Sequence, residues 1–187
     1  MKVELIVLVV GCFGVGKTTL AKNLLNIDGG WENHDSYAVS KGGLFTCAGT
    51  YFQDKALGGV DRLKNTQAIP QLIANASTPC FFVEGKRATC FGTSTLVPMF
   101  SVPNQLVIYL KAGASVIYKR LNMRGTCKTT RLKIERYIKD SEALAQKFSS
   151  IGVRVVQLDT ERANTAEIAN FVFGEVQRFI SRPQNKH

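Results

Sequence analysis

The chain has 187 residues, 45% of them hydrophobic, which is enough to bury one good core and sets one domain as the expectation. It has no run of about 18 apolar residues, and Glu4 interrupts the apolar start, so neither a membrane span nor a leader is read there. The five cysteines form no C-x-x-C pair, and only His34 and His187 could join them; with a net charge of +10 this argues for reduced thiols, no zinc site and a polyanionic partner.

Residues 5–10 form a continuous apolar run rich in β-branched side chains, which predicts a strand buried on both faces. Directly after it, residues 11–18 read G-C-F-G-V-G-K-T and fill the pattern G-x-x-x-x-G-K-[ST]. Glycines let such a loop curl its N–H groups inward around phosphates, and the helix that follows aims its positive end at the anion. Lys17 is expected to reach the β- and γ-phosphates of ATP and Thr18 to ligate Mg²⁺. The nucleotide-binding set is therefore Gly11, Phe13, Gly14, Val15, Gly16, Lys17, Thr18 and Thr19, with Cys12 a small filler.

A helix over 17–25 follows, with Leu20, Leu24 and Leu25 on one face, and a weak strand at 31–34 ends at Asp35. Residues 36–60 combine five glycines with Tyr37, Phe45, Tyr51 and Phe52 and read as a long substrate-binding insertion; each ring taken alone has packing as its alternative role. A helix is expected over 61–76, strands at 81–83, 106–110 and 153–158, and helices at 114–123, 132–148 and 165–180, before a disordered tail, 181–187. Strands alternating with helices give an α/β fold: a three-layer, doubly wound parallel sheet of about five strands filling residues 1–180.

In such sheets, chemistry gathers beyond the carboxyl ends of the strands. Glu84 closes the strand at 81–83 and is placed to hold Mg²⁺ through water. Asp35 closes the weak strand and is the candidate general base, with a helix N-cap as its alternative role. Arg120 and Arg124 lie one helical turn apart and open a polar lid over 120–131, where guanidinium forks would meet the phosphates; ordinary surface arginines are the alternative. From Lys111 to Lys139 there are nine basic residues, including Lys128, Lys133 and Arg136, against the single acid Glu135. That surplus fits a nucleic acid or another large anion, and also a solubilising helix face.

The order of these features over nearly the whole chain resembles the nucleotide and nucleoside kinase branch of the phosphate-loop proteins. Asp35-Ser36-Tyr37, Ser40-Lys41-Gly42-Gly43, Gly49-Thr50-Tyr51-Phe52 and above all Gly58-Gly59-Val60-Asp61-Arg62-Leu63 look like the phage kinases that phosphorylate the hydroxymethyl group of 5-hydroxymethyluracil already built into DNA. The resemblance implies ATP and Mg²⁺ as cofactors, DNA as partner, a cytoplasmic location in an infected bacterium, Asp35 as base and Asp61 as a contact to the acceptor, the last with a helix cap as its alternative. A base reached in this way would be flipped from the duplex. Tyr51, Phe52 and Phe45 are candidates to stack on it, Tyr37 to line its site, and Lys86 and Arg87 to hold backbone phosphates or simply to be solvated. A kinase for a free nucleoside, nucleotide or other small metabolite would share every catalytic feature. A nucleotide switch without enzymatic activity would keep the loop but need neither lid arginines nor an acceptor pocket.

Overall fold

The computed structural model describes residues 3–55, 58–85, 102, 104–125 and 129–181. One sheet runs through it, with strands β1 (Leu5–Val10), β2 (Trp31–Asn33), β3 (Tyr37–Ser40), β4 (Phe45–Ala48), β5 (Cys80–Glu84), β6 (Asn104–Lys111) and β7 (Arg154–Asp159). Their order across the sheet is β2-β3-β4-β5-β1-β6-β7. From β4 to β7 all neighbours pair in parallel, Leu5 facing Cys80 on one side and Asn104 on the other. β2, β3 and β4 pair antiparallel, which closes one edge with a hairpin.

The helices are α1 (Lys17–Ile27), α2 (Ile69–Asn75), α3 (Ala114–Met123), α4 (Arg131–Ser150) and α5 (Thr165–Ile180). Alternation along β1 makes the three layers, because successive side chains point to opposite faces of a strand. Leu5, Val7 and Val9 join Leu20, Leu24, Ile168 and Val172 of α1 and α5 in one core. Ile6, Leu8 and Val10 join Ile69, Ile73, Ala145 and Phe148 of α2 and α4 in the other. α5 is closed at its start by a capping box in which Asn164 accepts from the Glu167 N–H at 2.8 Å and Glu167 accepts from the Asn164 N–H at 3.0 Å. Among the described residues no helix is long and apolar enough to cross a membrane.

The sheet thus has seven strands rather than about five, and the two that sequence patterning misses lie in the segment read as a long loop. β3 and β4 have only four residues each, bounded by Gly42-Gly43 and Gly49, too short for a hydrophobic period to stand out. β4 is the second parallel strand, fully buried beside β5, whereas Trp31–Asn33 is the outer edge of the hairpin. The helix expected over 61–76 is also shorter. Gly59–Arg62 and Thr66–Ala68 are 3₁₀ turns, and α2 begins only at Ile69 because Pro70 lacks an N–H and fits only the first turn of a helix. The tail at 182–187 and the middle of the lid, 126–128, lie outside the described residues.

Candidate active site

β1 sits where the sheet changes direction: the chain goes from it to β4 and β5 on one side and then to β6 and β7 on the other. A loop at its carboxyl end therefore opens into the crevice of the fold. Gly11, Gly14 and Gly16 have φ of 152°, 79° and 113°, and a Cβ on Gly11 would lie 2.6 Å from the Leu110 carbonyl oxygen. Only glycine allows this path at such spacing. The Lys17 ammonium donates to the carbonyl oxygens of Gly11 (2.7 Å) and Cys12 (3.0 Å), so the lysine is drawn across the mouth of the loop and largely buried.

The two helices after β6 hold the loop from outside. Gly14 faces Ile117 and Leu121 of α3, and Val15 is buried. Phe13 meets Tyr137 of α4 edge to face at 5.1 Å, and the Cys12 thiol points to the Ile134 carbonyl. Arg120 donates to the hydroxyl of Thr160 at 2.9 Å and to its carbonyl at 2.7 Å, and its Nη1 also reaches the Val15 carbonyl at 3.5 Å, so the guanidinium ties α3 both to the turn after β7 and to the phosphate loop. Arg124, at the end of α3, is exposed and lies near enough to Lys22 of α1 to help depress its ammonium, an effect due first to burial.

Across the crevice, Glu84 ends β5 and is buried. Thr18 donates its hydroxyl to Glu84 Oε1 at 3.1 Å. Burial pushes the Glu84 carboxyl up to about 7; Lys17 and Thr18 oppose the shift and Asp61 adds to it. The Tyr51 ring is fully buried and its hydroxyl lies against Glu84; burial, then the Glu84 charge, raises its pKa well above the usual range. The backbone closes tightly over this group. Gly59 has φ 64° and a Cβ there would lie 2.5 Å from Glu84 Oε1, while one on Gly49 would strike the Gly59 carbonyl. A Cβ on Gly85 would lie 3.2 Å from Asp61 Cγ, so Asp61 stands beside Glu84 at the crevice. Thr18 and Glu84 form an oxygen-only donor set at the buried end of β5, which fits Mg²⁺, an ion that takes one or two protein oxygens and keeps the rest for water and phosphate. Among the described residues no cluster of three or more metal-ligating side chains offers another place.

Asp35 does not end a parallel strand. It occupies the β2–β3 turn, exposed, and reaches the carboxyl side of the sheet because β3 runs antiparallel to β4, with Tyr37 opposite Ala48. The Gly49 N–H donates to the Ser36 carbonyl at 2.8 Å and pins that turn beside the crevice. Tyr37 is half-buried and stacks on His34 at 4.5 Å. Of the rings read as stacking candidates, Phe45 is buried between Phe82 and Phe173 because it lies on β4, and Tyr51 is buried beneath Gly58; Phe52 is exposed, with the Arg62 guanidinium 4.8 Å from its centre. Thr19 is half-buried on the first turn of α1. Lys86 and Arg87, like Lys128, lie outside the described residues. Sequence reasoning missed the approach of Tyr51 to Glu84, since nothing marks a tyrosine 33 positions upstream as its neighbour until β4 is known to lie beside β5. It also missed Thr160 as the partner of Arg120.

The strand order, the phosphate loop after β1 and the acid after β5 define a phosphate-loop nucleotide-binding fold of the kind found in small kinases. No family model matches the sequence, and no curated protein does. Solved structures share the fold. The YorR protein of Bacillus subtilis, in complex with phosphorylated GDP, has a TM-score of 0.55 at 16% identity, over 96% of this chain and 99% of that one. A gluconokinase from Sinorhizobium meliloti 1021 gives 0.54 at 16%, over 97% and 100%. A deoxyadenosine kinase from M. mycoides with products dCMP and dCDP bound gives 0.52 at 10%, over 92% and 98%. At these identities the likeness concerns the fold.

Proposed function

We propose that this protein is an ATP-dependent kinase with an alcohol acceptor, and that the acceptor is the hydroxymethyl group of 5-hydroxymethyluracil within DNA. The observation that carries the kinase reading is the meeting of Lys17 with the Thr18–Glu84 pair at the end of the central strands. In this reading Gly11 to Thr19 hold ATP, with Lys17 leaving its carbonyl partners for the phosphates. Mg²⁺, held by Thr18 directly and by Glu84 through water, neutralises charge on the β- and γ-phosphates when bound. Asp35 receives the hydroxyl proton while the acceptor oxygen bonds to the γ-phosphorus and the bond from that phosphorus to the departing ADP breaks. Arg124 steadies charge on the moving phosphoryl group, and Arg120, through Thr160, fixes the helix that carries it. Tyr37 and Asp61 contact the acceptor.

The polymer acceptor draws its support from charge. Lys119, Arg124, Arg131, Lys133, Arg136 and Lys139 are exposed on α3 and the first half of α4, the two helices that flank the phosphate loop. A free nucleotide needs no field that wide, whereas a DNA backbone does. Lys86 and Arg87, which follow Glu84-Gly85 in the chain, are assigned to the same backbone. A small-molecule alcohol is the second reading, favoured by the names of the structural neighbours, among them a shikimate kinase from Acinetobacter baumannii in complex with shikimate (TM-score 0.51, 14% identity, 96% of each chain). Labelled ATP offered with DNA containing 5-hydroxymethyluracil, the free nucleoside, its monophosphate and other small alcohols decides between them. Label entering only the small acceptors overturns the DNA reading, and label entering none overturns the kinase.

A further inference from the structure

Beside β2 and the segment that follows β4 lies a groove of about 390 Å³, within the ~300–1,000 Å³ usual for ligand sites. Asn26 and Gly30 at the end of α1, Trp31 and Asn33 of β2, Lys41, and the segment from Tyr51 to Gln53 line it. Its floor is fixed. Trp31 Nε1 (3.0 Å) and Asn33 Nδ2 (2.5 Å) both donate to the Tyr51 carbonyl, and the Tyr51 N–H returns a bond to Asn33 Oδ1 at 2.9 Å. The rim is held as well, since Lys22 donates to the carbonyls of Gln53 and Lys55.

The groups that remain have a recognisable combination. Trp31 and Phe52 offer aromatic surface, and the Arg62 guanidinium backs the Phe52 ring. Among the described residues the side chains of Asn26, Gln53 and Lys41 make no hydrogen bond, leaving two amides and one ammonium around those rings. A ring face for stacking, amides for base edges and a cation for phosphate are what one nucleotide requires. A peptide or lipid would use the aromatic surface but leave the amides unpaired, at a cost in desolvation.

We infer that this groove takes a nucleotide of the acceptor strand outside the reacting position, with its base on Phe52 and Trp31 and its phosphate on Lys41. The inference rests on the DNA reading above for its polymer, but not for its test. Trp31 is the one tryptophan in the sequence, so intrinsic fluorescence reports the groove without any turnover. The probe is a five-residue single-stranded oligothymidylate, which lacks the reactive hydroxymethyl group. It should quench Trp31, thymidine monophosphate should do so far more weakly, and ATP should leave the emission unchanged. Phe52→Ala should weaken the oligonucleotide by roughly tenfold, the order of one lost stacking contact. Phe52→Tyr should restore binding, and Lys41→Ala should reduce its salt dependence. Quenching that depends on Phe52 upholds the groove even if no DNA is phosphorylated. Phosphorylation of 5-hydroxymethyluracil DNA with Trp31 unquenched, or with KM for an oligonucleotide unmoved by Phe52→Ala, overturns the groove and leaves the DNA reading standing.

Discussion

Glu84 is a carboxyl group whose burial opposes its ionisation more strongly than Lys17 and Thr18 favour it. With a folded pKa of about 7 against 4.5 unfolded, it keeps its proton in the metal-free protein at pH values between the two, where the unfolded chain has already ionised. The unfolded state then binds fewer protons, so stability should be greatest below about pH 4.5 for this group and fall as pH rises to 7, by about 3 kcal/mol in all. Denaturant midpoints across that range without metal should show the decline, and Glu84→Gln should flatten it; a slope equal in the two proteins would remove Glu84 as the cause. Gly59→Ala tests the closure over the same group. A methyl 2.5 Å from Glu84 Oε1, on a backbone at φ 64°, must move either the carboxylate or the turn. Turnover at limiting Mg²⁺ should drop at least tenfold while ATP binding measured without metal changes little. For Asp35, the Asn variant should keep ATP affinity and lose roughly 100-fold in kcat, as removal of a general base does. A change confined to the KM for ATP would shift attention to Asp61.

Glu175 is a buried acid on α5 that pairs with Arg154 of β7 and with Arg178 one turn along its own helix, so it fastens an edge strand to the layer above. Arg154→Ala with Arg178→Ala would leave Glu175 buried without a counter-charge and should cost roughly 3 kcal/mol, lowering Tm without altering kcat, whereas Glu175→Gln should cost far less because both guanidinium groups already reach solvent. How far elements could be read from sequence depended on length and burial. β1, α3 and α5 have long, unbroken patterns and form where the pattern says. β3 and β4 do not, because four residues between glycines carry no period, and it is the pairing of β4 with β5 that makes them strands. The phosphate loop was legible in full because its chemistry is local: eight consecutive residues build it. The acceptor side was not. Tyr51, Gly59 and Glu84 meet only through sheet order, and Asp35 reaches the crevice by a hairpin that replaces the strand end read there.

Across the whole molecule the charge is lopsided, with its densest basic surface on α3 and α4 beside the phosphate loop. DNA binding should therefore weaken steeply with salt, with a log–log slope of about −0.9 for each phosphate neutralised. Replacing Lys133, Arg136 and Lys139 by neutral residues should flatten that slope while ATP affinity holds, which filter binding at 50 and 200 mM salt would read. A slope untouched by the triple change would assign the charge to solubility alone. The split has a counterpart in the order of the chain. In the proposed reading Asp35, Tyr37 and Asp61, the residues assigned to the reacting acceptor group, fall within one stretch of sequence, residues 31–62, that joins the sheet through β4, whereas those assigned to the nucleotide come from the loop after β1, α1 and the end of α3. A single recombination cassette could therefore exchange the acceptor specificity of this scaffold, provided the incoming segment keeps a residue as small as glycine over Glu84.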